Sequence, residues 1–489
     1  MVYEISMPWW LFALLAGLAG LALLDRLFIP SVRWFWRRRI NRVVDEIGQR
    51  LAIEIRPFQL TKRQVLIDRL IYDPLVLEAA QTLAKEENEP LELIQARVVT
   101  YAREIVPAFN AYLYFRIGYW IAKRVAHLLY HVRIALPSNE ELAAIPRDAT
   151  VVFVMNHRSN MDYILVAFLA AERTTLSYAV GEWARIWPLQ TLIRAMGAFF
   201  VRRQSGNPLY RLVLERYVHM ATHEGVCQAV FLEGGLSRDG RLRNPKLGFL
   251  DYMLRRFDRA KDRDVVFIPV GINYDRVIED RSVLYSLDPE AAKRSLWFVV
   301  RTTAGFIFKS IRLMIVSRWE RFGYACVSFG PPVSVRDYCE RHAIDFKRLS
   351  RPERFPVVAQ LARMLMDRIR REVPVLPVPV LAAVFKAHAG EWLTAGEIER
   401  EAVELLEKIE HRGVKIYRPG RNRMPHYVAG ALSLMHMRHF IAEEDGRYRM
   451  NTEVADVIAY YANSVWPDPP EHAIRPAEKT ERRQDDIVR

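Results

Sequence analysis

The chain has 489 residues, 51% of them hydrophobic, which is enough for a sizeable core and for two or three structural units. Its formal net charge of +14 favours anionic partners, such as phosphate groups, acidic lipid surfaces, nucleic acid or acidic proteins. The three cysteines show neither paired nor metal-type spacing, which argues against a disulfide framework and indicates a reducing compartment.

The first predicted element is an apolar segment near the amino terminus. Residues 5–24 carry no charge, and their number is near the lower limit of about 20 residues for crossing a bilayer. Only Glu4 precedes the segment, whereas five arginines follow it within residues 26–39, so the positive-inside rule places the rest of the chain in the cytoplasm. We expect a transmembrane or membrane-anchoring helix in residues 1–30, with a surface-lying or buried helix as the alternative.

Residues 31–139 have a helical pattern that prolines interrupt. The last segment, residues 108–133, mixes aromatic side chains with arginine and lysine. Aromatic rings beside cations are typical of a membrane surface, and a core helix with a solvated basic face is the equal alternative.

Residues 140–335 have a different pattern, in which short apolar runs alternate with helical ones. The predicted strands are residues 151–154, 176–180, 198–201, 228–232, 265–270 and 325–329. Helix-like stretches, such as residues 209–223 and 247–257, lie between several of them. This alternation predicts an α/β unit with a mostly parallel sheet and a site at the carboxyl ends of the strands. Residues 297–319 are apolar but carry several basic residues, which favours a packed or interfacial helix over a second span.

Residues 336–465 form a mainly helical carboxyl-terminal region in this interpretation. Residues 374–379 (PVLPVP) are predicted to be a semi-rigid linker, and residues 440–449 a hairpin that turns at Asp445-Gly446. No base-reading pattern accompanies these elements, so we expect a structural or partner-binding role and no nucleic-acid partner. The proline-rich and charged residues 466–489 are predicted to be a disordered tail.

A histidine and an aspartate follow the first strand of the α/β unit. His157 comes just after the predicted strand, and Asp162 lies five residues further on, where Ser159 and Asn160 can cap the next helix. A histidine beside a helix start suits acid–base chemistry on an anionic substrate, and the aspartate can orient the imidazole. Chance also supplies such pairs, and a satisfied histidine with a helix-capping aspartate is the alternative.

Polar residues and turn formers also follow three other strands. They are Arg202 and Arg203 after residues 198–201, Glu233, Gly234, Ser237 and Arg238 after residues 228–232, and a predicted turn that begins at Pro269. Planar guanidinium groups suit phosphate, and a glycine-rich turn allows close backbone approach to a ligand. A solvated edge and an ordinary glycine turn are the alternatives for each group alone.

Together these stretches resemble the bacterial membrane-bound glycerol-3-phosphate 1-O-acyltransferases. Four blocks match that family in order: residues 156–162 (NHRSNMD), 197–203 (GAFFVRR), 231–238 (FLEGGLSR) and 268–271 (IPVG). The resemblance covers about residues 60–465. The chain departs from the family in its shorter total length and in Leu232, where the third block is expected to carry proline.

The resemblance implies an acyltransferase core with an α/β fold and no cofactor. The expected reaction moves an acyl group from acyl-CoA or acyl-acyl-carrier-protein to the sn-1 hydroxyl of glycerol 3-phosphate, giving lysophosphatidic acid. His157 is the expected general base and Asp162 orients it. Direct attack is expected, since no serine or cysteine occupies a nucleophile elbow.

Roles for the remaining residues follow from the same resemblance. Arg202, Arg203 and Arg238 are expected to bind the substrate phosphate, Glu233 and Ser237 to place the glycerol hydroxyls with Gly234 in the same turn, and Pro269 to shape the pocket. The expected location is the bacterial inner membrane, with membrane lipids as partners and most of the chain on the cytoplasmic side. The alternatives are an acyltransferase acting on lysophosphatidate or another alcohol, and a non-enzymatic protein that binds membrane or nucleic acid. The sequence leaves the oligomeric state open.

Overall fold

The computed structural model describes residues 61–465, except residues 112, 137–139, 142–144, 147, 171–175, 182–188, 203–205, 281–321, 412, 413, 415 and 417–423. The expectations for residues 1–30, 297–319 and 466–489 lie outside these residues. Within them, no helix is both long and apolar enough to cross a bilayer.

An eight-stranded sheet organises the part of the chain that the structure describes. Its strands are β1 (His131–Ala135), β2 (Thr150–Met155), β3 (Ser177–Val180), β4 (Ala198–Phe200), β5 (Gln228–Phe231), β6 (Val265–Tyr274), β7 (Tyr324–Phe329) and β8 (Val333–Ser334). The order is β1-β7-β6-β2-β5-β3-β4, and β8 pairs with β6. Only the β6–β7 and β6–β8 pairs among these strands are antiparallel, so the predicted mostly parallel sheet is confirmed.

Two strand predictions need correction. Residues 131–135 were expected to be helical, but they form the edge strand β1, which is mostly exposed and pairs with β7. The turn expected to begin at Pro269 is absent, because β6 continues to Tyr274 and pairs with β7 over Val270–Tyr274. Pairing with a strand that is distant in sequence decided both segments.

Helices cover both faces of the sheet. One layer contains α1 (Arg63–Ile71), α2 (Pro74–Glu86), α3 (Leu91–Ile105), α7 (Pro208–His223), α8 (Gly248–Leu254), α9 (Val335–Arg341) and α10 (Arg351–Glu372). The other contains α4 (Tyr119–Leu129), α5 (Met161–Ala170), α11 (Pro377–Ala387), α12 (Ala395–Glu410), α13 (Met424–Met437) and α14 (Ala455–Ala462). The short helix α6 (Leu189–Ala195) precedes β4, and a π-helical segment (Leu113–Gly118) precedes α4.

The alternation of side chains along each strand creates these two layers. Phe199 and Phe200 are neighbours in β4, yet each is buried in a different hydrophobic cluster. Strands that are covered on both faces read as continuous apolar runs, which is why the six predicted strands were recognisable.

The carboxyl-terminal region is mainly helical, as predicted, and carries a small sheet of β9 (Leu393–Thr394), β10 (Ile441–Glu444) and β11 (Arg447–Met450). The predicted hairpin is β10–β11, and both Asp445 and Gly446 have the positive φ that its two-residue turn needs. The predicted linker at residues 374–379 is wrong. Its second half is the buried first turn of α11, where proline is tolerated because the N–H groups there have no helical partner anyway.

Candidate active site

The first residue of the loop after β2 anchors the loop to the neighbouring strand β6. Asn156 is fully buried, and its side-chain amide donates to the Ile272 carbonyl at 2.9 Å and accepts from the Ile272 N–H at 2.8 Å. This pair of hydrogen bonds holds the next residues of the loop at the carboxyl end of β2, where the sequence predicted the site.

His157 and Asp162 form a buried hydrogen-bonded pair. The distance between His157 Nδ1 and Asp162 Oδ2 is 2.9 Å, and the two side chains are 2% and 0% exposed. Because Nδ1 faces the carboxylate, the neutral imidazole presents the lone pair of its Nε2. This Nε2 makes no hydrogen bond with any residue that the structure describes. The pair therefore has the geometry of a general base oriented by a carboxylate.

Asp162 is held by three further donors. Its Oδ2 accepts from the backbone N–H groups of Arg158 at 2.7 Å and Ser159 at 3.0 Å, and its Oδ1 accepts from the Tyr274 hydroxyl at 2.6 Å. Asp162 also lies in the first turn of α5, where a negative charge is favoured. These contacts fix the carboxylate beside the imidazole.

Aromatic rings fix the plane of the imidazole. The His157 ring stacks on Phe231 with 4.0 Å between centroids, and Tyr163 meets it edge-on at 5.3 Å. Since both rings contact a side chain that is already bonded at Nδ1, Nε2 has a defined direction.

Glu233 and Ser237 lie against the backbone of the same loop. Glu233 accepts from the His157 N–H at 2.9 Å and, with its other oxygen, from the Arg243 N–H at 2.9 Å. Burial raises the pKa of Glu233 to about 7. The Ser237 N–H donates to the His157 carbonyl at 2.9 Å, and the Ser237 hydroxyl donates to the Arg241 carbonyl at 2.7 Å. Both residues join the loop after β5 to the His157 loop, and their predicted contacts with glycerol hydroxyls stay predictions.

The other residues of the predicted site lie in different settings. Arg202 binds Glu104 with two nitrogens, Nε to Oε1 at 2.9 Å and Nη2 to Oε2 at 2.6 Å, so a phosphate would have to share this guanidinium. Arg238 is exposed, and Arg203 lies outside the described residues. Gly234 has a φ of +66°, and a Cβ there would lie 2.7 Å from Cγ of Lys246.

Pro269 lies within β6, opposite Val154 of β2, and its carbonyl accepts from the Gly330 N–H at 2.8 Å. The predicted phosphate-binding and pocket-shaping roles of these residues stay predictions.

An apolar cavity of about 350 Å³ adjoins the His157 loop. It lies between α4, α5 and the sheet, and its lining includes Ile121, Val125, Ile164, Val180 and Ile193. Asn160 and Met161, from the loop and the first turn of α5, also line it. Glu279 completes the wall beside them, where it accepts from the Ser159 hydroxyl at 2.6 Å and the Asn160 N–H at 3.1 Å. A long apolar group in this cavity would therefore end next to the catalytic loop.

Two protein-family models match the chain. The model described as Acyltransferase matches residues 138–273, which contain the whole His157 loop, and the model described as Glycerol-3-phosphate acyltransferase C-terminal region matches residues 310–466. In these residues the chain is similar to glycerol-3-phosphate acyltransferases. The second match covers the helical carboxyl-terminal region together with β7 and β8.

Curated glycerol-3-phosphate acyltransferases are among the similar proteins. The one from Aeromonas hydrophila is 28% identical over 365 residues, which is 72% of this chain and 44% of the relative. The one from Xanthomonas axonopodis pv. citri is 30% identical over 363 residues, which is 71% of this chain and 39% of the relative. The chain thus matches less than half the length of these relatives.

The chain is also similar to a solved structure, the 1-acyl-sn-glycerophosphate acyltransferase of Thermotoga maritima. The alignment covers 62% of this chain and 92% of the Thermotoga chain, with 18% identity. Its TM-score is 0.30.

Three residues of the candidate site were not predicted from the sequence. They are Arg158, Tyr274 and Glu279. Arg158 lies inside the first block, and Tyr274 lies in the stretch that was expected to be a turn. Alternation along a longer β6 would have placed Tyr274 near the site. Nothing in the sequence marks Glu279, because it contacts the loop only through the tertiary structure.

Proposed function

We propose that the chain transfers a fatty acyl group from acyl-CoA or acyl-acyl-carrier-protein to the sn-1 hydroxyl of glycerol 3-phosphate. The observation that carries the proposal is the buried His157, whose Nδ1 is bound to Asp162 and whose Nε2 has no partner among the described residues. Similarity to curated glycerol-3-phosphate acyltransferases supports the choice of acceptor. Since the chain matches less than half the length of its curated relatives, the activity is a proposal for this chain.

The proposed reaction is a direct displacement at the thioester. Nε2 of His157 takes the proton of the acceptor hydroxyl, and the oxygen forms a bond with the thioester carbonyl carbon. The tetrahedral intermediate then breaks its carbon–sulfur bond, and the imidazolium returns the proton to the leaving thiolate. Asp162 stabilises the imidazolium while the proton resides on it. The products are lysophosphatidic acid and the free thiol of the donor.

The acyl chain is assigned to the apolar cavity beside the loop. Ile121 and Val125 of α4 and Ile164 of α5 line this cavity, and transfer of an alkyl chain from water to such a lining is favourable. Because Asn160 and Met161 are also part of the lining, the carbonyl end of the chain would lie at the His157 loop.

The acceptor phosphate is assigned to the arginines that follow two of the predicted strands in the sequence. Arg202, Arg203 and Arg238 remain candidates from the sequence, and Glu233 and Ser237 remain candidates for the glycerol hydroxyls. Arg202 already binds Glu104, so it would hold a phosphate only by sharing its donors.

A lipid bilayer is the proposed location, and the α4–β1 surface, residues 117–136, is the proposed contact. Six of the ten large apolar side chains that are exposed in the described residues belong to it: Ile117, Trp120, Ile121, Leu128, Ile134 and Leu136. No acidic residue occurs between Glu104 and Glu140, whereas four basic residues do. Exposed apolar groups mixed with cations suit an anionic lipid surface, and Ile121 connects this surface to the cavity. The bulk of the chain is then expected on the cytoplasmic side.

An acceptor and donor panel tests the proposed function. Purified, detergent-solubilised protein is assayed with acyl-CoA and acyl-acyl-carrier-protein against glycerol 3-phosphate, lysophosphatidate and glycerol. Acylation of glycerol 3-phosphate in preference to the other acceptors is the expected result. A preference for lysophosphatidate would move the chain to the alternative acyltransferase activity, and lipid binding without any acyl transfer would favour a non-enzymatic role.

A further inference from the structure

Arg158 is a buried cation without a hydrogen-bonding partner. It is 1% exposed, and none of its Nε, Nη1 and Nη2 atoms bonds to a residue that the structure describes. The guanidinium group stays protonated in proteins, and burying a charge without a partner costs free energy. Such a group in a native structure calls for a partner that is present in a functional state.

Packing alone does not account for Arg158, because the buried Arg354 and the largely buried Arg438 are both paired. Arg354 binds Asp251 with 2.7 Å between Nε and Oδ1, and Arg438 binds Asp280 with 2.6 Å between Nη2 and Oδ2. Where this fold needs a buried guanidinium for structure, it supplies a carboxylate. Arg158 lacks one.

The groups around Arg158 do not neutralise its charge. The guanidinium carbon lies 5.9 Å from the centre of the Tyr460 ring, and Arg158 lowers the pKa of the Tyr460 hydroxyl against a larger rise caused by burial. A neutral hydroxyl does not balance the guanidinium charge. The charge of Arg158 also acts on Glu233 in the adjoining loop, but the two oxygens of that carboxylate already accept from the His157 and Arg243 backbone N–H groups.

His157, the residue before Arg158, also has a buried polar atom that makes no hydrogen bond with the described residues, its Nε2. A small molecule with a hydroxyl group for Nε2 and an anionic group for the guanidinium would satisfy both. The planar donors of arginine match the oxygens of a phosphate with two parallel hydrogen bonds.

We propose that Arg158 binds the phosphate group of the acceptor while His157 receives the proton of its hydroxyl. The assignment rests on the proposed function for the identity of the acceptor, and its chemical class is a phosphate monoester that carries a free alcohol.

The last helix of the described chain forms one wall of this site. Tyr460 belongs to α14, and a Cβ at Gly240 would lie 1.8 Å from the Tyr460 carbonyl oxygen, so the loop after β5 contacts α14 directly. The Asn463 amide donates to the Asp239 carbonyl at 2.8 Å and holds the same two segments together. The carboxyl-terminal region is thereby part of the acceptor site.

Two variants of the full chain test the proposal, Arg158→Met and Arg158→Lys, and Arg238→Met tests the exposed arginine that is the competing candidate. Thermal unfolding is recorded in detergent alone, with sn-glycerol 3-phosphate, with inorganic phosphate and with glycerol, and steady-state kinetics are measured for both substrates. In Arg158→Met the melting temperature without ligand stays equal to or above that of the wild type, because an unpaired buried charge is removed. The increase caused by glycerol 3-phosphate is lost, and its KM rises about 10- to 100-fold while the KM of the acyl donor is unchanged. Arg158→Lys keeps the positive charge but loses the two parallel donors of arginine, so its KM for glycerol 3-phosphate should be intermediate.

The outcomes separate this inference from the proposed function. A lower melting temperature for ligand-free Arg158→Met, together with a preserved response to glycerol 3-phosphate, would mean that Arg158 is structural and would overturn the inference. A larger rise in KM for Arg238→Met than for Arg158→Met would also overturn it. If the wild type acylates a different phosphorylated alcohol and Arg158→Met loses the response to that compound and to inorganic phosphate, the proposed acceptor is wrong and the phosphate site stands.

Discussion

At the scale of single residues, the site consists of one base and the groups that fix it. His157 is bonded through Nδ1 to Asp162, stacked on Phe231 and joined through its backbone to Glu233 and Ser237. These contacts restrain the imidazole before any substrate binds. Preorganisation of this kind lets a general base act without rearrangement.

Replacing the base tests its role directly. In His157→Ala, kcat is expected to fall about 10²- to 10⁴-fold, the usual contribution of a general base, while the protein stays folded. Acyl transfer to glycerol 3-phosphate and far-ultraviolet circular dichroism are the measurements. Near-normal turnover in a folded variant would exclude His157 as the base.

Tyr274 is a positioning residue, since its hydroxyl donates to Asp162 at 2.6 Å and contacts no reacting atom. Tyr274→Phe removes one hydrogen bond to a charged group, worth about 1.5–3 kcal/mol. If half of this is lost in the transition state, kcat/KM falls about 4- to 12-fold. The acid limb of the pH profile of kcat/KM should move to higher pH, because a carboxylate with one donor fewer stabilises the protonated imidazole more strongly. A lower kcat/KM with an unshifted profile would indicate a merely structural role.

At the scale of elements, buried polar groups join segments that are far apart in sequence. Asp275, at the end of β6, accepts from the Tyr324 N–H at the start of β7 and from the Val378 N–H in the first turn of α11. This carboxylate therefore connects the sheet to the first helix of the carboxyl-terminal region. Burial raises the pKa of Asp275 to about 7.

The raised pKa of Asp275 predicts how stability depends on pH. The unfolded chain ionises this group near its ordinary value of 3.8, but the folded protein does so only near 7, so the native state binds more protons between these values. The contribution of Asp275 to stability is complete below about pH 4 and is lost as the pH rises to about 7. Urea unfolding of the wild type and Asp275→Asn at pH 5 and pH 7.5 measures it. The free energy of unfolding of the wild type should exceed that of Asp275→Asn by less at pH 7.5 than at pH 5. An equal difference in the free energy of unfolding at the two pH values would contradict the expectation.

The contact between the loop after β5 and α14 depends on a glycine. Gly240 has a φ of +82°, and a Cβ there would lie 1.8 Å from the Tyr460 carbonyl oxygen. Gly240→Ala should cost more than about 2 kcal/mol, because backbone strain and a clash with a rigid helix add up. Gly430→Ala is the matched control, since Gly430 lies in α13 with nothing within 4 Å of its added methyl group and should be neutral or stabilising. Thermal unfolding of the two variants gives the comparison, and equal melting temperatures would contradict the packing argument.

At the scale of the whole molecule, one helical layer and the edge strand present the α4–β1 surface. Cys227, Cys326 and Cys339 are buried, and burial raises the pKa of the Cys326 and Cys339 thiols, so a single introduced cysteine can be labelled selectively. This makes the proposed bilayer contact measurable even if another segment of the chain also binds lipid.

Spin labels at two exposed positions test that contact. Leu128→Cys lies on the α4–β1 surface, and Tyr72→Cys, the control, follows α1, which packs in the other helical layer. With vesicles that contain anionic lipid, the label at position 128 should become accessible to oxygen and protected from a water-soluble relaxant, whereas the label at position 72 should not change. Equal behaviour of the two labels would exclude this surface as the bilayer contact.

The sequence alone predicted the six buried strands, the mostly parallel sheet, the hairpin at Asp445-Gly446 and the His157–Asp162 pair. Each depends on a pattern within a short stretch: an apolar run that must be buried on both faces, a two-residue turn that needs positive φ, or polar residues just after a strand. Local patterns of this kind are physical requirements of the fold and are therefore visible without coordinates.

Only the tertiary structure decided the partners of these residues. In place of the turn predicted at Pro269, β6 continues as a strand and pairs with β7, and residues 377–379 are buried in a helix. Arg202 binds Glu104, whereas the guanidinium nitrogens of Arg158 make no hydrogen bond with the described residues. Burial and ion pairing depend on segments that are hundreds of residues apart in the chain. For that reason the sequence predicted the His157–Asp162 pair, whereas the absence of a carboxylate partner at Arg158 became visible only in the fold.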